Sequence, residues 1–424
     1  MTLILTLVIF VATYALIVTE KIPRAVAAAL GACLLILLGV FPQETAVEHI
    51  DWNTLGLLIG MMIIVDLTRR SGVFGFLAIW VAKKVKGNPI RLLISLAILT
   101  AVLSAFLDNV TTVLLVVPVS IVIAETLKLN PIPFLITQIL ASNIGGTATL
   151  IGDPPNIMIA GPAELTFMDF MVNLAPVTIV ILAVTLLGFY FLYRQKLKTD
   201  KESIALLLSQ NEYDYIKDWA QLKRSLAVLA LTIVGFMLHA VIHVETATIA
   251  LAGGMLLMVL SREEPEEVFL AIEWPTIFFF TGLFVLVGGL VEVGVLDKIA
   301  EWSLGLTGGV PVVMAMLIVW LSAIFSAFVD NIPFVATMIP LIQKIRVLGG
   351  LTPEQLQPLW WSLALGACLG GNGTIVGASA NVIVSGIAEK NGYTISYKKY
   401  FLIGFPFMIL SIVIASAYIL LRYY

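Results

Sequence analysis

The sequence predicts an all-α polytopic membrane protein: an inverted-topology repeat of two five-span halves, ten transmembrane helices in all, with two re-entrant hairpins and two broken helices. Three observations carry this. The first is composition. Of 424 residues, 60% are hydrophobic and 12% charged, with mean hydropathy +1.04, whereas soluble chains are about one-quarter charged. The apolar residues gather in runs of the roughly 20 residues that cross a bilayer as helix. The second is self-similarity. Shifted by 222, Gly31 falls on Gly253, Trp52 on Trp274, Thr54 on Thr276, Gly72 on Gly294, "SAFLDN" (104–109) on "SAFVDN" (326–331), and Pro118 on Pro340. After three residues of slippage, a shift of 225 carries Gly145, Gly146, Thr149, Gly152 and Asn156 onto Gly370, Gly371, Thr374, Gly377 and Asn381. The third is charge. With the N-terminus outside, all but Lys298, Lys344, Arg346 and Arg422 of the 24 Lys and Arg fall on the cytoplasmic side, as the positive-inside rule requires.

The elements follow in order. The first half (1–200) opens with three ordinary spans near 2–19, 24–41 and 53–68. No basic residue precedes the first of them, so it reads as an uncleaved span rather than a secretory leader. The stretch 91–125 is too long for one span and holds Asp108-Asn109 at its middle, which predicts two half-helices meeting at a polar tip. A helix over 132–161 is broken at "GGTATLIGDPPN", and a last span at 172–193 closes the half. Five crossings is an odd number, so the second half must insert upside down. A cytoplasmic linker (201–221) leads into that half (222–424), with its hairpin at 311–346 and its broken helix at 359–387. Both termini are then outside, in a cell membrane of the bacterial inner-membrane type.

Irregular backbone at membrane depth survives only where protein or a water-filled cavity covers it. Two matched breaks beside two matched polar tips therefore predict a small-solute site at the repeat interface. Gly145 and Gly146 are expected to let the first break turn, and Pro154-Pro155 to end helical hydrogen bonding. The substrate-binding candidates are Asn109, Thr111, Thr112, Gly145, Gly146, Thr147, Thr149, Asn156, Asn331, Gly371, Asn372, Thr374, Ser379 and Asn381. Asp108, Asp330 and Asp153 are the candidates for proton or ion coupling, since intramembrane acids mark such paths. Each of the three could instead cap a half-helix. Cys368, two residues before the second break, reads as a small packing residue, with contact to a soft metalloid as the alternative. No Lys, Arg or His stands in these stretches, so the site is expected to lack a fixed cation and to suit a cation, a proton-coupled step or a neutral polyhydroxyl solute. The sequence shows no catalytic cluster, ATP-binding loop, metal-ligand spacing, cofactor motif or nucleic-acid-binding basic tract. A secondary transporter is the reading, not an enzyme; a channel on the same scaffold is the competing class. Cys33 and Cys368 both lie in apolar segments and suggest no disulfide framework.

"LDNVTTVLLVVPV" followed by "SNIGGTATLIGDPPNIMIA" resembles the ion transporter superfamily, specifically the ArsB arsenite permease and P-protein group. NhaD-type antiporters and dicarboxylate/sodium symporters are wider kin. The resemblance implies ten spans, two hairpins, a homodimer and an elevator movement. It implies tips at Asp108–Thr112 and Asp330–Phe334, where Pro333-Phe334 replaces the Thr-Thr of the first tip. It further implies arsenite and antimonite export from the cytoplasm by proton antiport, with a cytosolic arsenite-stimulated ATPase subunit able to dock on the inner loops. Sodium/proton antiport and sodium-coupled carboxylate transport are the alternatives.

Overall fold

The computed structural model describes residues 2–19 and 21–424. The described residues form helices and connecting turns, with no strand among them. The first half contains α1 (Thr2–Thr19), α2 (Arg24–Leu37), α3 (Trp52–Arg70), α4 (Val73–Lys84), α5 (Pro89–Phe106), α6 (Asn109–Thr126), α7 (Ile132–Gly146), α8 (Pro154–Ala160) and α9 (Ala175–Tyr193). The second half repeats the series as α10 (Trp219–Ile242), α11 (Thr246–Ser261), α12 (Trp274–Glu292), α13 (Val295–Thr307), α14 (Pro311–Phe328), α15 (Asn331–Gly349), α16 (Pro353–Gly370), α17 (Ser379–Lys390) and α18 (Tyr397–Tyr423). Short helices at Gln43–Glu48, Phe167–Asn173, Lys201–Ser209 and Pro265–Leu270 lie between them.

Among the described residues ten helices are long and apolar enough to cross a membrane: α1, α3, α5, α6, α9, α10, α12, α14, α15 and α18. Four of these are hairpin arms, while α2, α7 and α11 are apolar but shorter. The arms are thus longer than the half-helices expected from sequence. They remain hairpins because only Leu107 and Asp108 join α5 to α6, and only Val329 and Asp330 join α14 to α15. Side-chain caps start several helices. Asp51 accepts from the Asn53 and Thr54 amides at the start of α3, and Asn88 from the Arg91 amide at the start of α5. Each such cap contributes about 1 kcal/mol. Apolar residues left uncovered, among them Val241, Val259 and Leu421, lie where lipid would meet the protein.

The repeats are interleaved rather than side by side. α3 packs on α11 of the other half, and α12 packs on α2. The contacts correspond: Gly60 of α3 lies against the Ala250 backbone, and its counterpart Gly282 against the Ala28 backbone. His49, just before α3, contacts Glu292 at the end of α12 at 3.0 Å. The N-terminal end of α3 therefore meets the C-terminal end of its own counterpart, the arrangement an inverted repeat produces. Around this scaffold each hairpin packs on the broken helix of its own half, α5 on α7 and α14 on α16. Each also reaches across, α6 to α17 and α15 to α8.

Besides the four short connecting helices, two longer ones were not expected. α4 and α13 are 12 and 13 residues long, too short and too mixed in composition to read as spans. Gly72 and Gly294 open them at φ 84° and 70°. At the α4 end of the molecule the linker is docked. Lys83 of α4 pairs with Glu212, the Tyr215 carbonyl sits against Gly72, and the Thr199 hydroxyl donates to the Leu127 carbonyl at 2.6 Å beneath the first hairpin.

Candidate functional site

Both breaks are held by the same local device. In the first, the Asn156 amide donates to the Thr147 and Thr149 carbonyls at 3.2 and 2.8 Å. In the second, the Asn381 amide donates to the Gly371 and Thr374 carbonyls at 2.7 and 2.9 Å. The Thr149 hydroxyl donates to the Ala105 carbonyl in the first hairpin, and the Thr374 hydroxyl to Ala327 in the second. Ser104 donates to the Ser142 carbonyl at 2.7 Å, and its counterpart Ser326 to the Ala367 carbonyl at 2.6 Å. Backbone groups freed by the breaks are thereby satisfied by side chains, as burial demands.

The glycines have a different task from the one expected. α7 runs helically through Gly145 and Gly146, and neither has positive φ. A Cβ at Gly145 would overlap the Ala101 carbonyl of the hairpin, and one at Gly370 would sit 2.6 Å from Ala323. Close approach of hairpin to broken helix, not a turn, requires them. Gly146 and Gly371 similarly lie against the far sides of their own breaks, at Gly152 and at Gly377-Ala378.

A chain of amides ties the two breaks together. The Asn143 amide donates to the Asn372 and Asn381 side-chain oxygens, both at 2.9 Å, and its oxygen accepts from Asn109 at 3.2 Å. The position matching Asn143 at the 225 offset is Cys368, whose thiol donates to the Asn156 oxygen at 3.5 Å. Each half thus reaches over to the break asparagine of the other, once with an amide and once with a thiol. Cys368 is more than a packing residue. Replacing Asn143 by Ala strands polar atoms on Asn109, Asn372 and Asn381, all at least 97% buried. At about 1–3 kcal/mol per stranded group, the expected outcome is a loss of 3 kcal/mol or more on that scale, read as a large fall in thermal-unfolding midpoint in detergent.

The tips and breaks converge on one cavity of about 50 Å³. Asp108, Asn109, Asp153, Asn331 and Ser379, all read as site residues from sequence, line it. Asp108 accepts from the Thr111 amide at 2.8 Å and from the Thr111 hydroxyl. Asp330 accepts from the Ile332 amide at 3.1 Å. Both acids therefore cap the second arm of their hairpins. Asp153 occupies the N-cap position of α8 but makes no cap bond. The residue is 1% exposed, one of its carboxylate oxygens has no hydrogen-bond partner among the described residues, and the Cys368 thiol and Asn331 amide lie beside it. The side-chain nitrogens of Asn331 and Asn372 and the Thr112 hydroxyl are likewise buried without a partner among the described residues. Thr147, Thr149, Asn156, Gly371, Thr374 and Asn381 do not line the cavity; their hydrogen bonds hold the two breaks.

One expectation is overturned. The cavity does contain a fixed cation. Arg24, the first residue of α2, donates from one Nη to an Asp330 oxygen at 2.8 Å and to the Ser379 hydroxyl at 2.7 Å. Ser379 in turn donates to the same Asp330 oxygen at 2.8 Å. The guanidinium lies 5.1 Å from the Phe279 ring centroid, a cation–π distance. Arg24 was missed because it stands 306 residues from Asp330, beside the first loop, where a basic residue reads as a topology signal. The interleaving of α2 with α12 brings it back to the second tip. Glu273 and Thr276, at the start of α12, also line the cavity and were missed.

Helix order, hairpins, paired breaks and a buried acid-rich cavity are the architecture of a membrane transporter, and comparison with known proteins agrees. The citrate transporter (CitMHS) family model matches residues 14–366. The chain belongs to this family, within the ion transporter superfamily. An uncharacterized transporter of Mycobacterium tuberculosis is 41% identical over 420 residues, covering 98% of this chain and 97% of the relative. The human P protein is 35% identical over 500 aligned positions, covering 98% of this chain and 59% of the P protein. Among solved structures, the Alcanivorax borkumensis YdaH transporter superposes with TM-score 0.64 at 17% identity, over 88% of this chain and 86% of the other. At that identity the likeness speaks for the fold.

Proposed function

We propose that this chain exports arsenite and antimonite by proton antiport, the hairpins and broken helices moving as an elevator against the α1–α3 and α10–α12 scaffold. The observation that carries the reading is the cavity. Asp108, Asp153 and Glu273 line it, whereas its Arg24 is already engaged by Asp330. Such an excess of carboxylates supports a proton, a cation or a neutral solute over a multivalent anion. At about 10–15 Å³ per water-sized position, 50 Å³ holds roughly three to five positions. That suits uncharged arsenous acid, one arsenic with three hydroxyls, better than a tricarboxylate. Asn109, Asn331 and Ser379 supply amide and hydroxyl partners for those hydroxyls. Asp153, whose buried oxygen lacks a partner, is the preferred proton carrier, with Asp108 beside it. Asp330 is better assigned to holding Arg24. The asymmetric distribution of Lys and Arg supports both termini outside in a bacterial inner membrane. The reading includes a homodimer, and a cytosolic ATPase subunit docking on the linker face.

A second reading has its own support. The Nε and second Nη of Arg24 have no partner among the described residues, and the family description names citrate. A carboxylate substrate could use that guanidinium. The test is solute accumulation in everted membrane vesicles energised to an acidic interior. Arsenite accumulating uphill, and collapsing with a protonophore, is the expected result. Citrate or sodium moving in place of arsenite would overturn the substrate assignment.

A further inference from the structure

The cavity at the tips has a counterpart. A separate cavity of about 150 Å³ lies along the second hairpin and is lined by Asp51, Met158 and Phe284. At the repeat offsets these positions are Glu273 (51 + 222), Ile383 (158 + 225) and Met62 (284 − 222), and all three line the first cavity. One member of each matched pair faces each cavity. The two acids are also held alike. The Thr54 hydroxyl donates to Asp51 at 2.6 Å, and the Thr276 hydroxyl to Glu273 at 3.2 Å.

The cavities lie toward opposite ends of the molecule. Glu273 heads α12 and Asp51 heads α3, and those helices run in opposite directions, as the contact between His49 and Glu292 shows. α17, which carries Ile383, runs toward the base of the first hairpin, where Tyr393 donates to Glu125 at 2.9 Å. α8, which carries Met158, runs toward the second hairpin, where Gln343 donates to the Pro162 carbonyl.

We infer that the Asp51 cavity is the second half of the transport path, a site for the same small solute or its coupling cation on the opposite face, with Asp51 lining it as Glu273 lines the first. When the hairpins and breaks shift, the repeat relation requires that the cavity at Asp51 come to resemble the present one at Glu273. The fixed cation does not carry over, because Thr246 stands at the position matching Arg24 and does not line the second cavity. The solute therefore meets the guanidinium on one face only. This inference rests on the reading of the tip cavity as the transport path, and it is indifferent to which solute travels.

The test is sided labelling in a Cys33→Ser background, with buried Cys368 retained. Ile383→Cys and Met158→Cys, the matched pair, are treated in oriented proteoliposomes with a membrane-impermeant thiol reagent from each face in turn. Ile383→Cys is expected to react at least tenfold faster from the face that carries the 201–221 linker, and Met158→Cys at least tenfold faster from the opposite face. A condition that slows one is expected to speed the other. Labelling of both from one face would overturn the inference, as would reaction of Ile383→Cys with none at Met158→Cys from either face. Val287→Cys in the same cavity replaces Met158→Cys if that variant does not fold. A kinetic arm separates a path residue from a structural one. Glu273→Gln should raise KM at least tenfold for solute presented on the linker face alone, and Asp51→Asn on the other face alone, with Glu273→Asp and Asp51→Glu restoring it. Full flux with unchanged KM on both faces in Asp51→Asn would overturn the assignment. Absence of arsenite flux in the unmodified protein, with opposite-face labelling intact, would sink the arsenite reading and leave the two-cavity path standing.

Discussion

Asp153→Asn will abolish pH-driven solute accumulation while leaving the protein folded. Asp153 sits at the N-cap position of α8 without making a cap bond, and one of its buried oxygens has no partner. A buried carboxylate in that state is satisfied by a cation or a proton, because leaving it charged and bare costs several kcal/mol. The amide substitution keeps shape and removes that demand. The amide also keeps one acceptor oxygen for the neighbouring Cys368 thiol and Asn331 amide, so the stability change should stay within about 1 kcal/mol. Uphill flux should fall at least 100-fold, about 2.7 kcal/mol of coupling at 1.36 kcal/mol per tenfold, while downhill exchange of the solute continues. Proteoliposome flux with and without a pH gradient measures both quantities on one preparation. Retention of uphill transport would remove Asp153 from the coupling path.

Arg24→Ala carries the second large effect. It leaves Asp330 and the Ser379 hydroxyl without their cation at the tip of the second hairpin. Breaking a fully buried pair costs about 3–5 kcal/mol. Here the Arg24 side chain is 32% exposed and Asp330 15%, so solvent screening reduces the expected loss to about 1–3 kcal/mol. In the proposed elevator the pair also joins the fixed part to the moving one, since Arg24 lies on α2 and Asp330 at the tip of the second hairpin. Transport should fall about tenfold or more in Arg24→Ala and in Asp330→Ala. The double substitution should be more stable than the sum of the singles, with a coupling of about 1–3 kcal/mol measured by thermal unfolding. Strict additivity would mean that the contact is incidental.

The repeat was legible in the sequence because residues under the strictest geometric demand recur at one offset. Ser104 and Ser326, Thr149 and Thr374, and Asn156 and Asn381 make matched hydrogen bonds. Their side chains replace backbone partners inside an apolar protein, so few other residue types serve. Hairpin ends were legible for a similar reason: Asp108 and Asp330 each cap an arm, and a capping acid inside an apolar run stands out. What escaped was whatever depends on interleaving. Arg24 looks like a loop residue until α2 is laid on α12. Cys368 looks like packing until its counterpart Asn143 is seen crossing to the opposite break. Gly145 and Gly146 announce irregular backbone in sequence, but their lack of a side chain serves the contact with Ala101 and with the break itself. α4 and α13 carry no span-length apolar run to reveal them.

The measurement that tests the central claim most directly follows protons and solute together. Proteoliposomes loaded with arsenite and an internal pH dye are diluted into arsenite-free, sodium-free buffer at matched pH. Arsenite leaving down its gradient is predicted to draw protons inward, acidifying the interior at a fixed ratio to the arsenite lost, and Asp153→Asn is predicted to release arsenite without that acidification. Arsenite loss in the unmodified protein with no change in internal pH would contradict proton coupling at the tip cavity, and no arsenite loss at all would contradict the substrate.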